Sequence, residues 1–353
     1  MTKPPSHILI VRPSALGDVC RSVPLLVSLR RAYPGARIDW LVQDSFREAI
    51  EAHPDLSEVV PFPRKTLGKD LASLRWLRVR RWVGSIRRRR YDLVLDAQGL
   101  FRSGLIAWLS GAAVRIGDRR SAECSWLFCN HRVKTPRAMH TVDRMLALLE
   151  GAGVPPVCDM RLHVPAGGTA EAAELVPESG EAFVVLAPTS RWPGKQWPEE
   201  RFAGLAVRLL GMGVARIVVV GGPGEEVQCP SLVELAKGDG RVSIAIGRTS
   251  VGGLMGLIAR SSLVVANDSA PVHMAVGFDR PLVALYGPTD VSRVGPYGRS
   301  LDVLQRIMPG DRFDHKNAHL GKTMMARISL DEVAAAAEAR LGTEMHRLGP
   351  SSL

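Results

Sequence analysis

Short runs rich in Val, Ile and Leu alternate with stretches of helical period along this chain. That alternation dictates parallel strands joined by crossover helices. Strands are read at residues 8–12, 37–42, 91–96 and 114–117, with helices at 19–33 and 140–151. The stretch 164–180, carrying Pro165, Gly167, Gly168, Pro177 and Gly180, then interrupts the pattern as a linker would. After it the alternation restarts, with strands at 182–187, 216–220, 242–246, 263–266 and 282–286 and helices at 198–210 and 330–341. The expected architecture is α/β: two Rossmann-like, doubly wound parallel-sheet domains facing a central cleft. The expected boundaries are 1–165 for the first domain, 166–180 for the linker, 181–328 for the second domain and 329–353 for a closing helix and tail. Ligands of such sheets bind beyond the carboxyl ends of the strands, so the cleft is the expected site.

Composition narrows the class. A chain of 353 residues with 46% apolar and 23% charged residues builds real cores. No apolar run approaches the roughly 20 residues of a membrane span, and the run at 8–11 is too short for a signal-peptide core. The five cysteines, Cys20, Cys124, Cys129, Cys158 and Cys229, form no Cys-x-x-Cys pair and no zinc spacing with histidine. A reduced cytosolic compartment and no metal are expected. The net charge of +11 is uneven: eleven Lys and Arg between Arg64 and Arg90 face one acid, Asp70. Such a block is drawn to phosphate on lipid, substrate or nucleic acid, or is a solvated helix face. Within 67–90, Trp76, Val79, Val83 and Ile86, and before them Leu67, Leu71 and Leu74, recur at helical spacing and predict one amphipathic helix.

Four motifs carry polar chemistry at strand ends. In Arg12-Pro13-Ser14-Ala15-Leu16-Gly17-Asp18, Gly17 permits a tight turn and Asp18 sits at a helix start, as a cap or as a functional carboxylate. The loop is neither a P-loop nor Gly-x-Gly-x-x-Gly, which argues against a P-loop kinase or a dehydrogenase. In the segment 186–198, the Thr189 and Ser190 hydroxyls and the Lys195 ammonium suit diphosphate oxygens, although an ordinary turn has the same look. Gly221-Gly222-Pro223-Gly224-Glu225-Glu226 lets a ligand approach the backbone, with a carboxylate beyond it for ribose hydroxyls. In Asn267-Asp268-Ser269-Ala270-Pro271-Val272-His273-Met274-Ala275, a helix begins near Ala270 and its amides suit an anion. His273 reads as a core or hydrogen-bonding histidine rather than a metal ligand.

In this order the four motifs, with Tyr286-Gly287-Pro288-Thr289-Asp290 after them, resemble the family 9 glycosyltransferases, the ADP-heptose:lipopolysaccharide heptosyltransferases. The first half is most similar to the members that add the first heptose, through the stretches 91–100, Asn130-His131-Arg132 and 140–144. The resemblance implies a GT-B fold with an acceptor-binding first domain and a nucleotide-sugar-binding second domain. It implies Asp18 as general base. It implies Lys195, Thr189 and Ser190 on the donor diphosphate, and Glu225 on the ribose with Glu226 as the alternative. Asp268, with Ser269, Ala270 and His273, falls at the donor sugar and phosphates. Arg64, Lys65, Arg120, His140 and Arg144 fall at basic positions for an anionic acceptor. The region 311–325 departs from relatives that carry cysteines there.

The implied function is inverting transfer of a heptose from ADP-heptose to the Kdo–lipid A inner core, without cofactor. The enzyme is expected as a cytoplasmic monomer, peripheral at the inner membrane surface. One alternative is a family 9 enzyme with another sugar nucleotide and a non-lipopolysaccharide acceptor. Another is a basic nucleic-acid-binding protein. Against the latter, only Trp76, Trp82 and Tyr91 are available for stacking in or beside the basic run, so no nucleic-acid partner is expected.

Overall fold

The structure, a computed structural model, describes residues 4–73, 75–136, 138–176 and 181–348. The chain divides into two compact units, Met1–His163 and Val164–Leu353.

Unit 1 holds strands β1 His7–Val11, β2 Arg37–Gln43, β3 Glu58–Phe62, β4 Leu93–Asp96, β5 Val114–Asp118 and β6 His131–Val133. Its helices are α1 Leu16–Cys20, α2 Val23–Ala32, α3 Arg64–Ala72, α4 Trp76–Arg88, α5 Phe101–Leu109 and α6 Thr141–Glu150. The sheet is wholly parallel, in the order β3-β2-β1-β4-β5-β6. Strand order reverses between β1 and β4, which makes the ends of these two strands the place where loops diverge and leave a crevice. Ile8 to Val11 and Leu93 to Leu95 are fully buried, as central strands covered on both faces must be.

Unit 2 holds α7 Ala166–Leu175, β7 Phe183–Ala187, α8 Glu199–Gly211, β8 Arg216–Val219, α9 Pro230–Gly238, β9 Val242–Ile244 and α10 Val251–Arg260. It continues with β10 Leu263–Asn267, α11 Ala270–Gly277, β11 Leu282–Tyr286, α12 Val291–Val294, β12 Val303–Gln305, α13 Ala318–Ala326 and α14 Leu330–Leu348. Its parallel sheet runs β12-β11-β10-β7-β8-β9, with the reversal between β7 and β10. The α/β, two-sheet reading of the sequence holds in both units.

Three expected elements come out differently. The helix read at 19–33 is two helices, because Pro24 has no N–H to give the carbonyl of Cys20 and its ring crowds that carbonyl. The helix read over 67–90 is also two, α3 and α4. A straight helix over this stretch would run to about 35 Å, twice the reach of a five-residue strand. Folding back lets Leu67 of α3 and Ile86 of α4 enter one core with Val60, Phe62 and Ile106. Leu74, part of the expected apolar face, lies outside the described residues.

The third difference falls in the stretch read as linker. Residues 166–175 are the helix α7, and residues 177–180 lie outside the described set. The glycines there serve close approach rather than freedom. A Cβ on Gly168 would stand 2.3 Å from the Gly252 carbonyl, and one on Gly256 2.5 Å from the Gly168 oxygen, so α7 and α10 touch backbone to backbone. We therefore expect Gly168→Ala to lower the stability of the protein by about 1–3 kcal/mol, the cost of overpacking a tight seam. Gly167→Ala should be near neutral or slightly stabilising in the helix, since nothing stands within 4 Å of its Cβ position. Urea titration of the two variants checks this; equal effects would show that the seam is not the constraint.

Candidate functional site

The sequence motifs fall at the two places where strand order reverses, one in each unit. In unit 1 the loop after β1 leads straight into α1, and Asp18 is the third residue of that short helix. Its carboxylate reaches back to accept from the Ala15 N–H at 3.0 Å. Two guanidiniums close on its other oxygen, Oδ1: Arg12 at 3.1 Å, and Arg21, which donates a hydrogen bond to it. Burial pushes the Asp18 carboxyl up, but the charges of Arg12 and Arg21 outweigh it and hold the group well below the usual carboxylate range. Asp18 is thus a fixed anion. Arg12, the residue directly after β1, also donates to the Ala97 carbonyl at 2.6 Å and so ties this loop to the end of β4.

Beside this cluster lies a cavity of about 270 Å³ whose lining includes Gln98, Gly99, Asp118, Arg120, Ser121, Thr135 and Arg144. Gln98 accepts from the Ser14 N–H at 3.3 Å and links the cavity wall to the Asp18 loop. Asp118 caps the turn at Arg120 through its N–H at 2.8 Å, accepts from the Thr135 hydroxyl and sits 4.0 Å from Arg144. Asp96, at the end of β4, is buried, and burial pushes its carboxyl above the ordinary value. It accepts from the Ser125 hydroxyl at 2.5 Å and from the Gln98 and Gly99 amides. Its neighbours make it a brace of the 96–99 loop.

The expected basic residues therefore separate. Arg120 and Arg144 share the cavity. Arg64 and Lys65 are exposed on the first turn of α3 and do not line it. His140 is the N-cap of α6: its Nδ1 accepts from the Val142 N–H at 3.2 Å, which places the proton on Nε2.

In unit 2 the reversal point gathers the loops after β7, β8 and β10. Lys195 Nζ lies 2.6 Å from Asp268 Oδ2, both nearly buried. Thr189 donates to Glu225 Oε2 at 2.5 Å, and the same oxygen accepts the Gly222 N–H at 2.7 Å. Of the two neighbouring carboxylates, it is Glu225 that turns to the end of β7. The Ser190 N–H donates to Gln228 Oε1 at 3.1 Å, and Gln196 bridges the Ser190 carbonyl and Gln228, each at 2.8 Å. Ser269 precedes α11 and donates to the Asn267 carbonyl at 3.0 Å instead of capping the helix, so the first-turn amides from Ala270 onward keep no side-chain cap. His273 is buried one turn further on. Unit 2 thus collects an ammonium, two hydroxyls, two carboxylates and a helix start at one edge of its sheet.

Several residues that build these sites were not among the sequence candidates. Asn267 is buried, accepts from the Trp197 N–H at 3.1 Å and donates to the Pro188 carbonyl at 2.6 Å, clamping the loops after β7 and β10. Its place before Asp268 in the motif was the available signal. Arg21 lies three residues after Asp18, the i,i+3 spacing at which helix side chains meet. His315 packs edge-on against Trp192 at 5.2 Å between ring centres, and burial together with the nearby Lys195 lowers its pKa. No local pattern marked it, because its partner lies more than a hundred residues away. Among the described residues no group of three His, Cys, Asp or Glu could hold a metal ion.

The model of glycosyltransferase family 9 (heptosyltransferase) matches residues 79–321 of this chain. Lipopolysaccharide heptosyltransferase 1 of Pseudomonas aeruginosa is 31% identical over 303 residues, which cover 83% of this chain and 82% of that one. The structure of Escherichia coli ADP-heptose LPS heptosyltransferase II superposes with a TM-score of 0.79 at 24% identity, covering 96% of this chain and 99% of that one. That of E. coli heptosyltransferase WaaC with ADP-2-deoxy-2-fluoro heptose superposes with a TM-score of 0.70 at 26% identity, covering 90% and 98%.

The Asp18 cluster makes its own prediction about stability. Asp18→Asn leaves Arg12 and Arg21 without their shared anion, a loss of about 3 kcal/mol or less at neutral pH for a pair a quarter open to solvent. A depressed carboxylate contributes stability above the unfolded-state pKa, near 4, and loses it as pH falls toward the folded-state value. The gap between wild type and variant should therefore close as pH drops below about 4. Denaturant titrations at neutral and acidic pH check this, and a gap that widens in acid contradicts the assignment.

Proposed function

Because this chain belongs to glycosyltransferase family 9, the heptosyltransferases, we propose that it transfers a heptose from ADP-heptose to the Kdo–lipid A inner core in lipopolysaccharide biosynthesis, with inversion at the anomeric carbon. One observation carries the reading. Each reversal point holds one of the two chemistries a sugar transfer needs: a fixed carboxylate beside an arginine-lined cavity in unit 1, and an ammonium with hydroxyls and a helix start in unit 2.

In this reading Asp18 accepts the proton of the acceptor hydroxyl as that oxygen attacks the anomeric carbon. A carboxylate held so far down is a weak base. It suffices, because the hydroxyl becomes strongly acidic only as its oxygen bonds to the sugar carbon. The two arginines keep Asp18 ionised at every working pH and so always ready. Arg120 and Arg144 hold an acid group of the acceptor from the cavity wall, and Arg64 and Lys65 meet the acceptor outside it. The departing diphosphate gathers charge, which Lys195, Thr189, Ser190 and the first-turn amides of α11 stabilise. Asp268 orients Lys195 beside the donor sugar, Glu225 takes the ribose hydroxyls, and Ser269, Ala270 and His273 line the start of the phosphate helix. The positive charge comes from the protein, so the reaction needs no metal. The enzyme acts as a monomer in the cytoplasm, at the inner surface of the membrane that carries its acceptor; among the described residues no helix is long and apolar enough to cross that membrane.

Two expectations follow from these roles. Asp18→Asn should lower turnover by roughly 10²–10⁴-fold with ADP affinity nearly unchanged, measured at a temperature where the variant is fully folded; near wild-type transfer removes Asp18 from the chemistry. Lys195→Ala should weaken ADP much more than adenosine, whereas Glu225→Ala should weaken both alike, as calorimetry with the two ligands reads directly. Equal effects of Lys195→Ala on ADP and adenosine contradict the phosphate role.

A further inference from the structure

The basic stretch that the active-site reading leaves unused is the outer face of α4. Its inward side is committed: Ile86, with Val79 and Trp82, packs on the unit 1 core beneath α3 and α5. Two arginines here have acid partners. Arg78, itself exposed, stands 3.5 Å from the buried Asp70, and Arg89, just past the helix, is paired with Asp39 at 2.9 Å and with Glu58. Also exposed are Arg75, Arg80, Arg81, Arg87 and Arg88, with no acid in the helix to balance them. Set among these charges are two large apolar side chains that the core does not take, Trp76 at 54% and Leu77 at 69% exposure. The neighbouring helix α5 leaves Phe101 and Trp108 half exposed, seven residues apart and so on one face.

We propose that this outer face of α4 and α5 is a docking surface for an anionic lipid bilayer, with Trp76 and Leu77 as its insertion point and the arginines on the headgroups. Exposed Arg and Trp in this mixture match the interface of an anionic membrane, where indole and leucine enter the headgroup boundary and guanidiniums stay with phosphate. The topology gives the face a direction. α4 delivers the chain to the amino end of β4, so its first turn, with Trp76 and Leu77, lies toward the carboxyl edge of the sheet, where Asp18 also lies. Docking by that end presents the acceptor edge of unit 1 to the bilayer. The amphipathic helix is therefore not itself the membrane anchor: its apolar face is used up in the protein core, and the contact is a charged plate with a short wedge. This rests on the proposed lipid-borne acceptor only for its purpose, since the docking itself needs no acceptor.

The experiment uses the full chain with vesicles of phosphatidylethanolamine and phosphatidylglycerol, and with phosphatidylcholine vesicles as the neutral control. The variants are the triple reversal Arg80→Glu, Arg81→Glu and Arg88→Glu, and separately the pair Trp76→Ser and Leu77→Ser. Arg78 is left in place because it pairs with Asp70, and circular dichroism confirms that the variants fold. Wild type should sediment with the anionic vesicles and not the neutral ones, and added salt should release it. Three reversed charges should weaken the partition by about a hundredfold or more, and the serine pair by about tenfold. Transfer to a de-acylated, water-soluble acceptor should stay at the wild-type level in all variants, while transfer to vesicle-borne acceptor falls. Undiminished sedimentation of the triple variant overturns the proposal, as does tighter binding of wild type to single-stranded DNA than to the vesicles. Failure of wild type to use either acceptor would instead count against the proposed function and leave the docking result standing.

Discussion

In each unit a parallel sheet buried on both faces forces the chemistry to one edge. Ile8–Val11 and Leu263–Ala266 are wholly enclosed and carry no polar side chain, and the one carboxylate inside β2, Asp39, is held by Arg37, Arg89 and the Tyr91 hydroxyl. At the carboxyl edge, neighbouring loops part where the winding reverses. β1 and β4 in unit 1, and β7 and β10 in unit 2, are those pairs. The side chains that tie the parted loops together are the ones that frame the sites: Arg12 on the Ala97 carbonyl in one unit, Asn267 on the Pro188 carbonyl in the other.

The two sites rest on largely buried ion pairs of different balance. In unit 1 one carboxylate faces two guanidiniums, so the anion is fixed and cannot drift toward neutrality by burial. In unit 2 the Lys195 ammonium faces the Asp268 carboxylate, while the Glu225 carboxylate is held by the Thr189 hydroxyl and the Gly222 N–H, with the start of α11 alongside. In the proposed reaction a dianionic diphosphate would meet there an ammonium already held in place, with little reorganisation left to perform, which is the condition under which electrostatic stabilisation of a leaving group is most effective.

The central strands and the four loop motifs were legible in the sequence, because β-branched runs and Gly-rich turns are local signals. Helix ends were less so. Pro24 is the local signal for the break between α1 and α2, masked by apolar periodicity that continues across it. Gly167 and Gly168 look alike as letters, and only the tertiary contact of α7 with α10 tells the packing glycine from the idle one. The same limit applies within the sites. Lys195 and Asp268 stood out by motif, but that they meet at 2.6 Å depends on β7 and β10 being neighbours. His140, equally prominent in its motif, proves to be the cap of α6, a role that its position before Thr141 permitted as readily as ligand binding.

The basic stretch shows why charge counting alone underdetermines function. Of the eleven cations between Arg64 and Arg90, Arg89 is drawn inward by the buried Asp39, which also accepts from the Tyr91 hydroxyl at 2.9 Å, and Arg78 leans on Asp70. Arg89 ties the end of α4 to the sheet and Arg78 ties α4 to α3, so the same arginine-rich sequence supplies both the fastening and the outer charge. The fastening is what makes the outer charge useful. A helix with an unsatisfied apolar face would bury that face in whatever bilayer it met. One already packed on Val60, Phe62 and Ile106 can offer only its cations and the exposed Trp76 and Leu77. The proposed bilayer contact would then be reversible and sensitive to ionic strength, which suits the proposed transfer to one lipid-borne acceptor after another.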